Sequence, residues 1–296
     1  FDLRRDPLAF ITQLTKTFGD ISSFAALGQR YIILNHPDLA REVLLTHADA
    51  FFKGPALQNS RDLLGDGLLT AEGETHKSQR RLMTPAFHAK RVEAYAPDIR
   101  ACTQRTLQEL AAATSPVDIR DFMTRLTLRI AVQTLFGIDA AGLDTADTDR
   151  VGRSMHTLMS NYIRTVVPWG KLLNALPLPS TRKIHQARTD LFALVDRLIA
   201  DRRQKTQGSG RTQDLLSTLI TATDTECPHA AKAPIRLTDQ QLRDQAITLL
   251  TAGHETTANA FTFTLYLLAT HPVVQQKLAA EIDAVLGPRA PTLADL

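Results

Sequence analysis

Glu255 and Thr256 stand next to each other in the run Ala252-Gly253-His254-Glu255-Thr256-Thr257. A carboxylate beside a hydroxyl in apolar surroundings is the material of a proton relay. A satisfied polar site in a core is the plainer alternative for the same residues. His254-Glu255 does not extend to a zinc site. The helical zinc motif needs a second histidine four residues on, and position 258 is Ala258. A second constellation lies far upstream. His76 and Arg80 are four apart and share a helix face, with Arg81 beside them. An arginine fork grips a carboxylate at two points, and a histidine adds a further donor. Taken alone, such a basic turn also fits an ordinary solvated face. The two cysteines, Cys102 and Cys227, lie too far apart to suggest a metal or disulfide pattern. A reducing compartment is the simpler assumption.

The element that must carry Glu255 and Thr256 reads as one helix from Thr238 to Thr270. At 1.5 Å per residue, about 33 residues span ~50 Å. Thr238 and Gln241 form a capping box, and Asp239 suits the helix dipole. His271 precedes Pro272, which ends the helix. Leu249, Leu250, Phe261, Phe263, Leu265, Leu267 and Leu268 cannot share one side at this period, so burial on nearly every face is expected. A membrane span would carry His254, Glu255 and Asn259 near its middle at a cost of several kcal/mol. A soluble core with a polar notch is therefore the favoured reading. Gly253 with Thr256 and Thr257 predicts a local kink or bulge that opens a groove, with Glu255 and Thr256 both on it.

Other elements follow in order. Residues 7–18 carry apolar positions at helical spacing, stopped by Gly19-Asp20. Residues 21–27 and 31–34 read as a small hairpin, and 35–45 as a helix with Pro37 in its first turn. Residues 49–70 form an apolar loop, read equally as a binding loop or a cap on the core. Helices are expected at 89–112 and 119–136, the second stopped by Gly137, with a polar loop over 138–150. Two more helices, 151–166 and 180–205, flank an apolar connection broken by Pro168, Trp169, Pro177 and Pro179. Residues 206–211 and 223–234 read as loops, and the last clear helix ends at Leu286.

The 252–257 run resembles the distal-helix signature Ala/Gly-Gly-x-Asp/Glu-Thr-Thr of the cytochrome P450 haem-thiolate monooxygenases. The flanking runs 245–250 and 265–272 are similar to the family as well. The resemblance implies a mainly α cytochrome P450 fold with a small N-terminal β-hairpin and haem b lying across the long helix. It implies that Thr256 is the oxygen-activating alcohol and Glu255 the acid beside it, with Ala252, Gly253 and Thr256 against the haem. The family's Trp/His-x-x-x-Arg pair, followed by Arg and Pro-Ala-Phe, is similar to His76, Arg80, Arg81 and Pro85-Ala86-Phe87. That implies a grip on the haem propionates by His76 and Arg80. An opening helix, two strands and a turn like Asn35-His36-Pro37 also resemble the family. By the same resemblance the 49–70 loop roofs the substrate pocket, lined by Leu57, Leu64, Leu68, Leu69, Leu249 and Ala252, and the proline-rich connection is its lid.

The fold is incomplete by this reading. The Glu-x-x-Arg helix and the Phe-x-x-Gly-x-Arg-x-Cys-x-Gly loop are expected beyond residue 296, so no metal ligand is assigned in this chain. Neither Cys102 nor Cys227 has the surroundings of that loop. The chain has 296 residues, 44% hydrophobic and 22% charged, enough to bury a sizeable core. No linker is evident, so residues 1–296 are read as one domain. A net charge of +3 does not argue for nucleic acid. No signal peptide or anchor is visible, although one upstream stays open. The expectation is an N-terminal fragment of a soluble, cytoplasmic, bacterial-like monomer, inactive alone. Its parent would use O2 and electrons from NAD(P)H, passed through a ferredoxin, flavodoxin or reductase, to oxidise an apolar small molecule. A non-catalytic helical ligand-binding or interaction module, or a structural protein, is the alternative.

Overall fold

The computed structural model describes the whole chain except residues 1, 2, 4, 27, 138–144, 163, 165, 166, 168, 169, 208–213, 224–235 and 296. The first elements are α1 (Pro7–Phe18), β1 (Ile21–Ala26), β2 (Gln29–Leu34), α2 (Pro37–Arg41) and α3 (Pro55–Asn59). Next come α4 (Arg61–Leu64), α5 (Gly73–Met83), α6 (Ala89–Ala94), α7 (Ala96–Ala111) and α8 (Ile119–Phe136). The chain continues through α9 (Thr145–Ser160), α10 (Gly170–Ala175), α11 (Pro179–Gln207), α12 (Leu215–Thr221), α13 (Asp239–Thr270) and α14 (Pro272–Leu286). The mainly α fold and the small antiparallel hairpin are as expected.

The residues fall into two compact units, one of 1–59 with 163–175 and one of 60–162 with 176–296. In the first, Asp6 caps α1 by accepting from the Ala9 N–H at 2.9 Å. The hairpin pairs Ile21 with Leu34 and Ala26 with Gln29. Phe24 stacks on Tyr31 across the strands and takes the edge of Phe10 from α1, which fixes that helix on the hairpin. The expected 35–45 helix is split into α2 and one π-helical turn, Glu42–Thr46.

In the second unit α13 packs along α8, and α11 lies against both α9 and α13. Leu242, Ile247 and Leu250 of α13 meet Val132 and Leu135 of α8, Met155 of α9 and Val195 of α11 in one buried cluster. Cys102, Phe122, Met123, Leu126 and Ala258 form a second. A buried pair, Arg202 and Asp214 at 3.3 Å, closes the corner where α8 ends. Arg202 also donates to the Phe136 carbonyl, while Asp214 caps α12 through the Ser217 N–H at 2.8 Å. Gly137 stops α8 in the left-handed conformation, as read from the sequence.

Several expectations change. The 49–70 stretch is not a plain loop but contains α3 and α4. α9 begins at Thr145, inside the predicted 138–150 loop. Thr and Asp there are residues that favour a helix N-terminus as much as a turn. Residues 138–144, Pro168, Trp169, Cys227 and most of the two predicted polar loops lie outside the described residues. Among the described residues α13 is the longest helix, 32 residues against 29 for α11, and its capping box is formed in both directions. It is not buried all round. Past Ala258, Phe263 is 66% exposed and Tyr266 61%, and Val273 of α14 67%. Among the described residues no element covers that face. The bulge expected at 253–257 is absent as well, and α13 is assigned α-helix from end to end. The threonines back-bond without breaking the ladder, Thr251 to the Ile247 carbonyl and Thr256 to that of Ala252. No described helix is long and apolar enough to cross a membrane.

Candidate functional site

The polar run of α13 is held from outside by α8. The Thr127 hydroxyl donates to the His254 carbonyl at 2.8 Å and shares its other contact with Met123 of its own helix. His254 is 4% exposed, and its Nδ1 lies 2.8 Å from the Leu250 carbonyl. A carbonyl only accepts, so Nδ1 carries the hydrogen of this contact. The imidazole is thus tied to its own helix, and it is the Thr127 bond to the His254 carbonyl that fixes the rotation of α13 on α8.

With the rotation fixed, each successive residue turns by about 100°. Leu249, Ala252, Gly253 and Thr257 line an apolar cleft of about 450 Å³ against Thr127, Ile130 and Leu135 of α8. His254, Glu255 and Asn259 line a separate polar cleft of about 490 Å³. Thr256 lines neither. It is exposed, and its hydroxyl donates to the Ala252 carbonyl at 2.5 Å. The single groove expected to hold both Glu255 and Thr256 is therefore not formed. Adjacent residues on an unbroken α-helix present to different surfaces, and the bulge that would bring them together is missing. Glu255 is half-buried and has no partner among the described residues.

Ala252, Gly253, Thr256, Thr257 and Ala260 form an exposed strip of small side chains. A Cβ built on Gly253 meets nothing within 4 Å, so the strip is open to a flat ligand. His76 and Arg80 lie on α5. His76 is half-buried, while Arg80 is exposed with no carboxylate on its guanidinium among the described residues.

A connection that sequence reading missed ties α5 to α13. Asp244 of α13 accepts from the Asp66 N–H at 3.0 Å, and Gln245 from the Leu68 N–H at 2.9 Å. Gln79 of α5 donates to the Asp66 carbonyl at 3.0 Å. The approach is close enough that a Cβ on Gly65 would strike the Asp244 carboxylate, and one on Gly67 the Thr248 hydroxyl. Burial pushes the Asp244 carboxyl up from its ordinary value, against the lowering pull of the Asp66 N–H and of Arg243. An Asp-Gln pair on the buried face of a long helix, with Gly-Asp-Gly elsewhere, was the available signal.

The proposed pocket leucines separate. Leu249 and Ala252 line the apolar cleft. Leu64 does not, since it is a core residue at 1% exposure, packed in the first cluster. Leu68 packs at the edge of that cluster, and Leu69 is 38% exposed. Leu57 belongs to the other unit and is half-buried there. Cys102 is packed at 3% exposure with its thiol 3.1 Å from Gln133 Oε1, a core position. Among the described residues no group of three or more His, Cys, Asp or Glu could hold a metal ion.

The family model for cytochrome P450 matches residues 1–296. Cyclooctat-9-en-7-ol 5-monooxygenase of Streptomyces melanosporofaciens is 36% identical over 295 residues, 99% of this chain and 61% of that protein. Pentalenene oxygenase of Streptomyces avermitilis is 30% identical over 299 residues, covering 100% of this chain and 62% of its own length. Among solved structures, the crystal structure of the cytochrome P450DA heme domain superposes with a TM-score of 0.77 at 29% identity, over 97% of this chain and 61% of that one. The chain thus spans about three fifths of the length of these relatives.

Proposed function

Since this chain belongs to the cytochrome P450 family, we propose that it forms the oxygen-activating part of a haem monooxygenase. Residues 1–296 then make up the N-terminal part of one such domain. The reaction puts one atom of O2 into an apolar cyclic substrate and takes electrons from NAD(P)H through a ferredoxin, flavodoxin or reductase. The cyclic, terpene-like substrate class rests on the names of the two Streptomyces relatives.

The observation that carries this reading is the open strip on α13. Haem is flat, and a strip of Ala252, Gly253 and Thr256 lets it approach the helix without a clash. Arg80 offers a guanidinium without a carboxylate partner among the described residues, which suits a propionate, and His76 lies one turn before it. When bound, the haem iron supplies the binding and reductive activation of O2.

The chain's own residues supply protons and exclude water. In this structure Thr256 spends its hydrogen on the Ala252 carbonyl. Rotation about χ1 frees it to donate outward, across the strip. Glu255 faces the polar cleft on another side of the helix and is placed to exchange protons with solvent there. Because the two residues face different surfaces, transfer between them runs through a water at the helix edge and not directly. Leu249 and its neighbours in the apolar cleft keep bulk water away.

The test is Thr256→Ala in the intact protein. NAD(P)H consumed, hydrogen peroxide released and product formed are measured together. Substrate binding should be kept, while product per NAD(P)H falls and peroxide rises. General acid–base groups are worth about 10²–10⁴ in rate, so the change should be large. Unchanged coupling would make Thr256 a packing residue and remove the catalytic reading of the strip.

A further inference from the structure

The polar cleft of about 490 Å³ on the Glu255 side of α13 has a charge pattern that proton supply alone does not need. Five guanidinium groups line it: Arg105 from α7, Arg120, Arg125 and Arg129 from α8, and Arg153 from α9. Among the described residues only two carboxylates line it, Asp121 and Glu255. A third, Glu109, is not part of the lining. It holds Arg129 at 2.9 Å and the weaker Arg105 at 3.6 Å. Arg125 lies over the Phe122 ring at 4.5 Å, an arrangement that leaves its N–H edges free. Arg120 and Arg153 have no partner for their guanidinium groups among the described residues. Counting Glu109, five cations face three carboxylates among the described residues, a surplus of two positive charges gathered in one concave site.

The donors and acceptors are equally lopsided. The Thr124 and Thr157 hydroxyls already donate to carbonyls of their own helices, each at 2.8 Å. What remains toward the cleft is mostly N–H on guanidinium groups, joined by the Asn259 amide, which has no partner among the described residues. A ligand that only accepts and carries more than one negative charge matches this surface. Guanidinium groups arriving from three helices suit oxygens spread over several directions, as on phosphoryl groups, better than one planar carboxylate. From this the geometry points to a binding site for a small polyanion of the diphosphate class, in the open cleft bordered by α7, α8, α9 and the Glu255 side of α13. It is separate from the α13 strip and from the basic turn of α5, and it does not depend on haem.

Calorimetric titration of the intact protein with inorganic diphosphate tests this, with sodium chloride at equal ionic strength as the blank. Saturable binding is expected. Arg120→Gln combined with Arg153→Gln should weaken it by about tenfold or more, since charge-assisted contacts from two helices are lost. Both side chains are exposed and lack ion-pair partners among the described residues, so the melting temperature without ligand should not move. Arg80→Gln should leave the affinity unchanged. Parallel titrations with ADP separate a free anion from a diphosphate ester, and the double variant must weaken whichever binds. Binding no stronger than the chloride blank would overturn the site. So would full affinity in the double variant, or loss through Arg80→Gln alone. None of these readouts requires monooxygenase activity, so the haem reading stands or falls separately.

Discussion

Asp244 joins the 65–70 loop to the central helix, and its removal has a calculable cost. Two substitutions separate its charge from its hydrogen-bonding role. Asp244→Asn keeps a carbonyl oxygen for the Asp66 N–H, 3.0 Å away in wild type. Asp244→Ala removes it. A typical hydrogen bond contributes about 1 kcal/mol net, and an amide left without a partner costs about 1 kcal/mol more. The Ala variant should therefore be about 2 kcal/mol less stable than the Asn variant, or roughly 4–8 °C in melting temperature for a unit of this size. The pH dependence has a definite sign. The folded carboxyl is raised above its ordinary 3.8 by burial, so between 3.8 and the raised value the folded chain binds more protons than the unfolded one. Stability from this group is thus full below about 3.8 and falls as pH rises through that window. Asp244→Asn removes the fall, and at neutral pH it should be no less stable than wild type. Urea unfolding at several pH values and hydrogen exchange at the Asp66 amide measure both effects. Equal stability of the Ala and Asn variants, with Asp66 exchange unchanged, would refute the argument.

Gly67→Ala should destabilise by about 1–3 kcal/mol, because its Cβ would strike the Thr248 hydroxyl and the Asp244 carbonyl. Thermal unfolding checks it, and a wild-type melting temperature would show that the loop can lift without cost. Asp214→Ala should cost about 3–5 kcal/mol by leaving the buried Arg202 without its charge partner and α12 without its cap. Chemical denaturation reads this loss, and a value below 1 kcal/mol would mean that Arg202 reaches solvent.

What could be read from the sequence was local. The capping box of Thr238 and Gln241 is a three-residue pattern, and it formed as read. So did the Gly137 stop and the hairpin, because glycine and alternating strand residues act on their immediate neighbours. The clasp was not legible. Asp66 and Asp244 are 178 positions apart, and nothing in either neighbourhood names the other. The division of Glu255 from Thr256 depends on whether the ladder bulges between them. Threonine back-bonding is compatible with a bent or a straight helix, and here the ladder stays whole. The resemblance implies a pocket role for Leu64, but a leucine side chain serves a core as well as a cleft, and here it is core. The exposed Phe263 and Tyr266 show the same limit, since composition gives a preference for burial and not the partner that provides it.

The central claim is that haem lies on the Ala252–Gly253–Thr256 strip, and haem content of Gly253 variants in the intact protein tests it most directly. Nothing lies within 4 Å of a Cβ at Gly253, so a larger side chain there has room within the chain itself. Replacing a mid-helix glycine should even favour the helix, by up to about 1 kcal/mol. Haem bound per protein is measured for Gly253→Ala and Gly253→Phe, together with the melting of each haem-free form. The expected result is near-normal haem in Gly253→Ala, loss of most haem in Gly253→Phe, and haem-free melting at or above wild type in both. Full haem occupancy in Gly253→Phe would contradict the claim and move the cofactor off this face of α13.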